Sequence, residues 1–263
     1  MANQKDLTIY VQNVRSLNKK LSYLRSNIGL LSILPDIIVF TETWLKPDTD
    51  SASLGLFSYN IYRSDRAQRA NQQSRGGGVL IAVHQSLSSH LIAKPLNHAG
   101  NDNFESLFVE VHAANTRLLI VGAYIPTHMQ VQLYKDFVNC LEEISVNYFK
   151  NEIVICGDFN LPYIQWSPNT SDYIVQQYVN PKIIEAADVL QQIVILMDWV
   201  QLFPVHSIKG YTLDLLFSSQ DTCQSLSMNE DLLVGDPAHH ESSYFVIKNF
   251  GRSNNFSIVK TNL

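Results

Sequence analysis

The sequence predicts an α/β fold in which two mixed sheets pack face to face with helices on the outside, and three observations point there. Short apolar runs of strand length alternate with segments whose apolar residues recur at spacings of three and four. Several of these strands follow one another with no helix between them, which excludes a purely parallel doubly wound sheet. The 263 residues are 46% hydrophobic and 16% charged, a composition that supplies a large core and excludes a disordered chain. One domain over residues 1–248 is expected, with 249–263 as a polar tail or linker.

Taken in order, Leu7 to Val14 reads as a strand, and Leu17, Leu21, Leu24, Ile28 and Leu31 predict a helix that Pro35 stops. Asp36 to Phe40 is a buried strand that delivers Thr41, Glu42 and Thr43 at its carboxyl end. Arg75-Gly76-Gly77-Gly78 is a glycine turn feeding a strand that ends near His84. Phe104 to His112 and Arg117 to Ile125 predict a hairpin joined by Ala-Ala-Asn-Thr. Leu133, Phe137, Leu141, Ile144 and Tyr148 give a second helix, and Glu152 to Cys156 a strand that ends at Gly157-Asp158-Phe159-Asn160. Ile183, Ala187, Leu190, Val194 and Met197 mark a third helix, before strands near Tyr211 to Phe217 and Ser243 to Ile247.

Composition removes several function classes. The apolar stretches, among them Ile193 to Met197, which ends at Asp198, are far short of the ~20 residues of a membrane span. The polar residues Met1 to Asp6 run directly into a strand with no secretory pattern, so an intracellular protein without a membrane partner is expected. Cys140, Cys156 and Cys223 lie far apart in apolar contexts, which favours reduced thiols over disulfides or a zinc knuckle. Net charge is −5, yet residues 1–75 hold ten Lys/Arg against six Asp/Glu. Arg63, Arg66, Arg69 and Arg75 cluster there in a Gln/Asn-rich stretch, which reads either as a solvated loop or as a contact surface for phosphates.

Carboxylates and amides fall at strand ends. Asn13, Glu42, Asp158, Asn160 and Asp214 each lie within or just after an apolar strand, so a shared rim would gather like charges that a divalent cation could neutralise. Oxygen donors of this kind suit Mg²⁺, or Mn²⁺, rather than zinc. Each residue also has a plainer reading: Asn13 as a strand terminator, Glu42 as a surface acid, Gly-Asp-Phe-Asn as a turn, and His239-His240 as surface histidines. Asp214 interrupts an apolar run, so facing inward it needs a partner, which His239-His240 could supply.

Together these residues resemble the endonuclease/exonuclease/phosphatase superfamily, the metal-dependent fold of pancreatic deoxyribonuclease and apurinic endonucleases. More narrowly, Gln12-Asn13-Val14-Arg15-Ser16-Leu17, Thr41-Glu42-Thr43-Trp44-Leu45, Gly76-Gly77-Gly78-Val79, Ala123-Tyr124-Ile125-Pro126, Gly157-Asp158-Phe159-Asn160 and Leu213-Asp214-Leu215 resemble the endonuclease domain of non-LTR (LINE-type) retrotransposons. The motifs occur in the family's order over nearly the whole chain.

The resemblance implies a four-layered α/β sandwich with its site at the rim between the sheets. It implies Glu42 as principal Mg²⁺ ligand with Asn13 beside it, and Tyr124 on the scissile phosphate. Asp158 is implied to orient or deprotonate the attacking water and Asn160 to donate to phosphoryl oxygens. His240, oriented by Asp214, is implied to stabilise the transition state or carry a proton. The implied reaction is nicking of double-stranded DNA to leave a 3′-hydroxyl that primes a reverse-transcriptase domain, in the nucleus. The arginines at 63, 66, 69 and 75 would hold DNA phosphates.

One departure stands out. The family normally ends in Ser-Asp-His, whereas this chain has Ala238-His239-His240-Glu241-Ser242. Aligning His240 with the family histidine places His239 where relatives carry an acidic metal ligand or base partner, unless Asp236 substitutes. Two other readings share these residues: a same-fold phosphoesterase acting on a phospholipid or phosphoinositide, and a catalytically inactive DNA-binding copy.

Overall fold

In the computed structural model the strand nearest the amino terminus is buried on both faces: Leu7, Ile9 and Val11 join one apolar cluster and Tyr10 another. A strand apolar on both sides needs cover on each, and the layers follow from that. The structure describes residues 5–66, 76–95, 104–113, 116–126, 130–148, 152–176, 179–203, 212–219, 223–226, 232–233 and 242–250.

The strands in chain order are β1 (Lys5–Asn13), β2 (Ile37–Thr41), β3 (Tyr59–Ser64), β4 (Val79–His84), β5 (Ser88–Leu91), β6 (Glu105–Ala113) and β7 (Thr116–Tyr124). They continue as β8 (Glu152–Asp158), β9 (Ile164–Trp166), β10 (Tyr173–Val175), β11 (Val200–Gln201), β12 (Asp214–Ser218), β13 (Cys223–Leu226) and β14 (Ser243–Phe250). The helices are α1 (Leu21–Asn27), α2 (Val131–Ser145) and α3 (Pro181–Leu196).

One six-stranded sheet has the order β13-β14-β1-β2-β4-β3 and the other β11-β12-β8-β7-β6-β5, with β9 and β10 forming a separate pair. Among the described residues only β1–β2 and β7–β8 pair in parallel, so both six-stranded sheets are mixed, as the adjacent strands in the sequence predict. Ile9, Val11, Val39 and Ile81 of the first sheet pack against Val109, Ile120, Val154 and Leu216 of the second. The second sheet's outer face is covered by α2 and α3 through Phe137, Leu141, Leu190 and Val194. The first sheet's outer face carries Leu17 and Leu24. The result is the four-layered α/β sandwich.

Local chemistry explains where elements start. Asn180 caps α3, its side chain accepting from the Lys182 amide, and Pro181 occupies the first turn, where its missing N–H costs nothing. The first predicted helix is shorter than its periodicity suggests. A 3-10 turn at Leu17–Lys20 precedes α1, which stops at Asn27 next to a turn in which the Leu30 amide bonds the Asn27 carbonyl. Gly29 lies in that turn, where helix propensity is low. Cys140, Cys156 and Cys223 are free and buried. Among the described residues no helix is long and apolar enough to cross a membrane. The expected tail lies outside the described residues from 251 onward.

Candidate active site

Register assembles the site. Glu105 on β6 pairs with Tyr124 on β7, Tyr124 with Asp158 on β8, and Asp158 with Asp214 on β12. Directly paired residues share a face, so three acids and a phenol form one row across the end of the second sheet. All four side chains are buried. Such a row is stable only if its charges find partners.

The first sheet supplies them. Asn13, the last residue of β1, donates through Nδ2 to Asp158 Oδ2 at 2.8 Å, bridging the two sheets 145 positions apart in sequence. Asn13 Oδ1 accepts the Arg15 amide at 3.2 Å. The second Asp158 oxygen accepts the Asn160 backbone amide at 3.0 Å, and Asn160 Nδ2 donates to the Ile125 carbonyl at 2.8 Å. Beneath this turn the Phe159 amide bonds the Leu213 carbonyl and the Tyr134 hydroxyl donates to the Phe159 carbonyl.

Glu42 follows β2 and is half-buried, with φ of 51° in the left-handed region. Its backbone is fixed because the Ser16 amide bonds its carbonyl, while Trp44 bonds back to Gly77 through the main chain. Trp44 Nε1 donates to Glu42 Oε2 at 3.2 Å. The Tyr124 hydroxyl also lies within electrostatic reach of Glu42, which ties the first sheet's acid to the second sheet's row. Burial, then the charges of Glu42 and Asp158, push the Tyr124 phenol far above its ordinary value against the opposing pull of Arg66, so it remains a donor at neutral pH. Glu42, Trp44 and Asn160 all carry positive φ, a strained conformation that persists where surrounding bonds enforce it.

Gly157 and Gly77 make this geometry feasible. A Cβ on Gly157 (φ +146°) would lie 1.9 Å from the Ala123 carbonyl oxygen, so only glycine lets β8 deliver Asp158 beside β7. Gly77 (φ +77°) lies under the Arg66 guanidinium, 2.5 Å from where its Cβ would be.

The arginine cluster divides. Arg66 makes two bonds to Glu105, at 2.6 and 3.1 Å, and its guanidinium lies 5.4 Å from the Tyr124 ring centroid. Arg63 straps a loop: it bonds the Thr49 carbonyl at 2.6 Å, the Lys46 carbonyl at 2.7 Å, Ser51 Oγ and both oxygens of Asp65. Arg69 and Arg75 lie outside the described residues, as do Asp236, His239 and His240. Sequence reasoning found Glu42, Asn13, Tyr124, Asp158, Asn160 and Asp214, which the fold brings to one rim. It missed Glu105, whose signal was an acid at the start of an otherwise apolar strand, and the Trp44 bond to Glu42.

The fold and rim define the class: a two-sheet α/β sandwich of the deoxyribonuclease and apurinic endonuclease type. Residues 11–219 match the Endonuclease/Exonuclease/phosphatase family, and the chain belongs to that family. Similar solved structures include the endonuclease domain of TRAS1, a telomere-specific non-LTR retrotransposon, at 12% identity over 94% of this chain and 100% of that one, with a TM-score of 0.62. The AP endonuclease LMAP from Leishmania major is 16% identical over 93% of this chain and 88% of that one, TM-score 0.67. The 3′-5′ exonuclease NExo from Neisseria meningitidis is 15% identical over 92% and 100%, TM-score 0.56. At these identities the likeness is one of fold. No curated protein matches the sequence. The resemblance to the superfamily agrees with the family match, and the fold is also that of a retrotransposon endonuclease domain.

Proposed function

We propose that the chain is a Mg²⁺-dependent DNA endonuclease that nicks one strand to leave 5′-phosphate and 3′-hydroxyl ends. The observation that carries this reading is the Asn13–Asp158 bridge at the rim, with Glu42 joined to the same row through Tyr124. The donors among the described residues are oxygens, from carboxylates and an amide, and fit Mg²⁺ or Mn²⁺. Glu42 is the principal residue to hold the ion, with Asn13 beside it and His239 as the third candidate. When bound, the ion supplies charge to offset the developing negative charge on the leaving 3′-oxygen.

The chain's own groups do the rest. Asp158, with one bond from Asn13 and one from Asn160, is fixed in orientation and keeps acceptor capacity for a water proton. A water so held attacks phosphorus in line, its oxygen forming the new P–O bond as the P–O3′ bond breaks. Tyr124, held protonated, donates toward the phosphate, and the second amide hydrogen of Asn160 serves a phosphoryl oxygen as charge builds there. His240, oriented by Asp214, takes the proton-transfer or charge-stabilising role. The freed 3′-hydroxyl would prime reverse transcription by a reverse-transcriptase domain of a parent element, in the nucleus, a reading supported by the motif resemblance and by the TRAS1 likeness.

Double-stranded DNA then lies across the rim. Arg69 and Arg75 are the better candidates for phosphate contact, since Arg63 and Arg66 already bond within the chain. Conversion of supercoiled plasmid to open circle with Mg²⁺, and its loss with chelator, tests the reading. Glu42→Ala and His240→Ala should each abolish nicking. His239→Asp should raise the rate if that histidine weakens the site. DNA binding that ignores chelator, with no nick under any metal, would instead support the inactive-copy reading.

A further inference from the structure

A second cluster of metal-type side chains stands on the same strands, at the end away from the rim. His90 on β5 pairs directly with Glu110 on β6, and His112 lies two residues further along β6 on the same face. The nearest ligand atoms of the three lie within 4.8 Å of one another. His90 Nε2 is 3.9 Å from Glu110 Oε1, and His112 Nε2 meets that same oxygen. The two imidazoles face each other with ring centroids 5.4 Å apart and planes 33° from parallel.

The surroundings prepare the carboxylate for a ligand. Glu110 is buried, and its Oε2 is held by the Tyr148 hydroxyl and by Arg117 Nη2 at 2.6 Å. Arg117 Nε reaches Oε1 at 3.1 Å, so the guanidinium holds both oxygens, and Oε1 is also the one that meets the histidines. Hydrogen bonds to a ligating carboxylate commonly fix its orientation in this way. The side chains of His90 and His112 are 55% and 37% exposed while His112 Nε2 itself is buried, so an ion and a solvent ligand would reach the cluster from the His90 side.

We propose that His90, Glu110 and His112 form a binding site for a borderline divalent transition ion of the zinc type, with three protein ligands and a solvent-facing fourth position. Two imidazoles and one carboxylate are a nitrogen-rich set that favours Zn²⁺ over Mg²⁺, in contrast to the oxygen donors of Glu42 and Asn13 at the rim. The two sites cannot share an ion. Glu105, paired with Tyr124, and His112, paired with Arg117, are seven positions apart on β6, a span of roughly 23 Å at strand rise. An ion here clips the edge strand β5 to the β6–β7 hairpin.

The test is titration of the metal-free full chain with Zn²⁺ by calorimetry, alongside a double variant His90→Ala/His112→Ala and a rim variant Glu42→Ala. One Zn²⁺ should bind the parent and the Glu42→Ala protein with equal affinity, and at least 10-fold more weakly to the histidine double variant. Co²⁺ should give visible absorption bands of a low-symmetry four- or five-coordinate ion in the parent and in the Glu42→Ala protein, and none in the histidine double variant. Because both histidines are partly exposed, the double variant should keep the parent's circular dichroism, and His112→Gln provides a second, milder variant that should also weaken binding. Absent Zn²⁺ binding, equal affinity in parent and double variant, or loss of the bound ion in Glu42→Ala alone would overturn the assignment.

Discussion

Replacing Arg66 by alanine separates two roles for one side chain. The guanidinium is 20% exposed and the Glu105 carboxylate beneath it only 5%, with both bonds of the pair made. Removing the arginine leaves a carboxylate buried without its partner, which costs about 3–5 kcal/mol in a dry interior. Water reaches the Arg66 edge, so about 2–3 kcal/mol is the expected loss here. Adding Glu105→Gln removes the stranded charge, so the double variant should recover much of that loss, a coupling readable in a double-mutant cycle. Urea unfolding of the four proteins gives the energies, and plasmid binding across a salt series gives the other role. The reasoning fails if Arg66→Ala unfolds within about 0.5 kcal/mol of the parent while the salt slope of DNA binding falls by about one, since that is the behaviour of a phosphate contact.

Further outcomes follow from other positions. Gly157→Ala would drive a Cβ into the Ala123 backbone, which cannot yield, so a loss of at least about 3 kcal/mol is expected in urea unfolding, whereas Gly29→Ala, with nothing within 4 Å, should stay within about 1 kcal/mol of the parent. Burial pushes the Glu110 carboxyl up, but bonds from Arg117 and Tyr148 and the nearby charges of Arg117 and His112 outweigh it and hold the group down at about 2, against an ordinary 4.5. A depressed folded value means stability that is present above about 4.5 and fades as pH falls toward 2, worth up to about 3 kcal/mol at 1.36 per pH unit. The unfolding gap between parent and Glu110→Gln should therefore narrow between pH 5 and pH 3, and a gap constant over that range would contradict the placement.

What the sequence made legible depended on range. β2 and β8 were readable because four or five consecutive apolar residues cannot sit on a surface, and the acid that follows each run marks the strand end, which is how Glu42 and Asp158 were found. β3 and β5 were not readable: Tyr-Asn-Ile-Tyr-Arg-Ser and Ser-Ser-His-Leu lie on sheet edges, where partial exposure permits polar residues and hides the alternation. Charge pairing was the other hidden layer. Arg66 and Glu105 are 39 positions apart, and nothing local to either distinguishes a buried clamp from a solvated charge. The His90, Glu110 and His112 cluster was hidden for the same reason, since it exists only once β5 is laid beside β6.

The proposed chemistry requires two sheets meeting at one rim to hold a water and a phosphodiester beside Asp158. Single-turnover nicking of supercoiled plasmid by Asp158→Asn tests it most directly, because the amide keeps the size of the side chain while removing its capacity to take a proton. The expected result is a rate at least ~10²-fold below the parent at unchanged DNA affinity. A variant that nicks at the parent's rate would contradict the account.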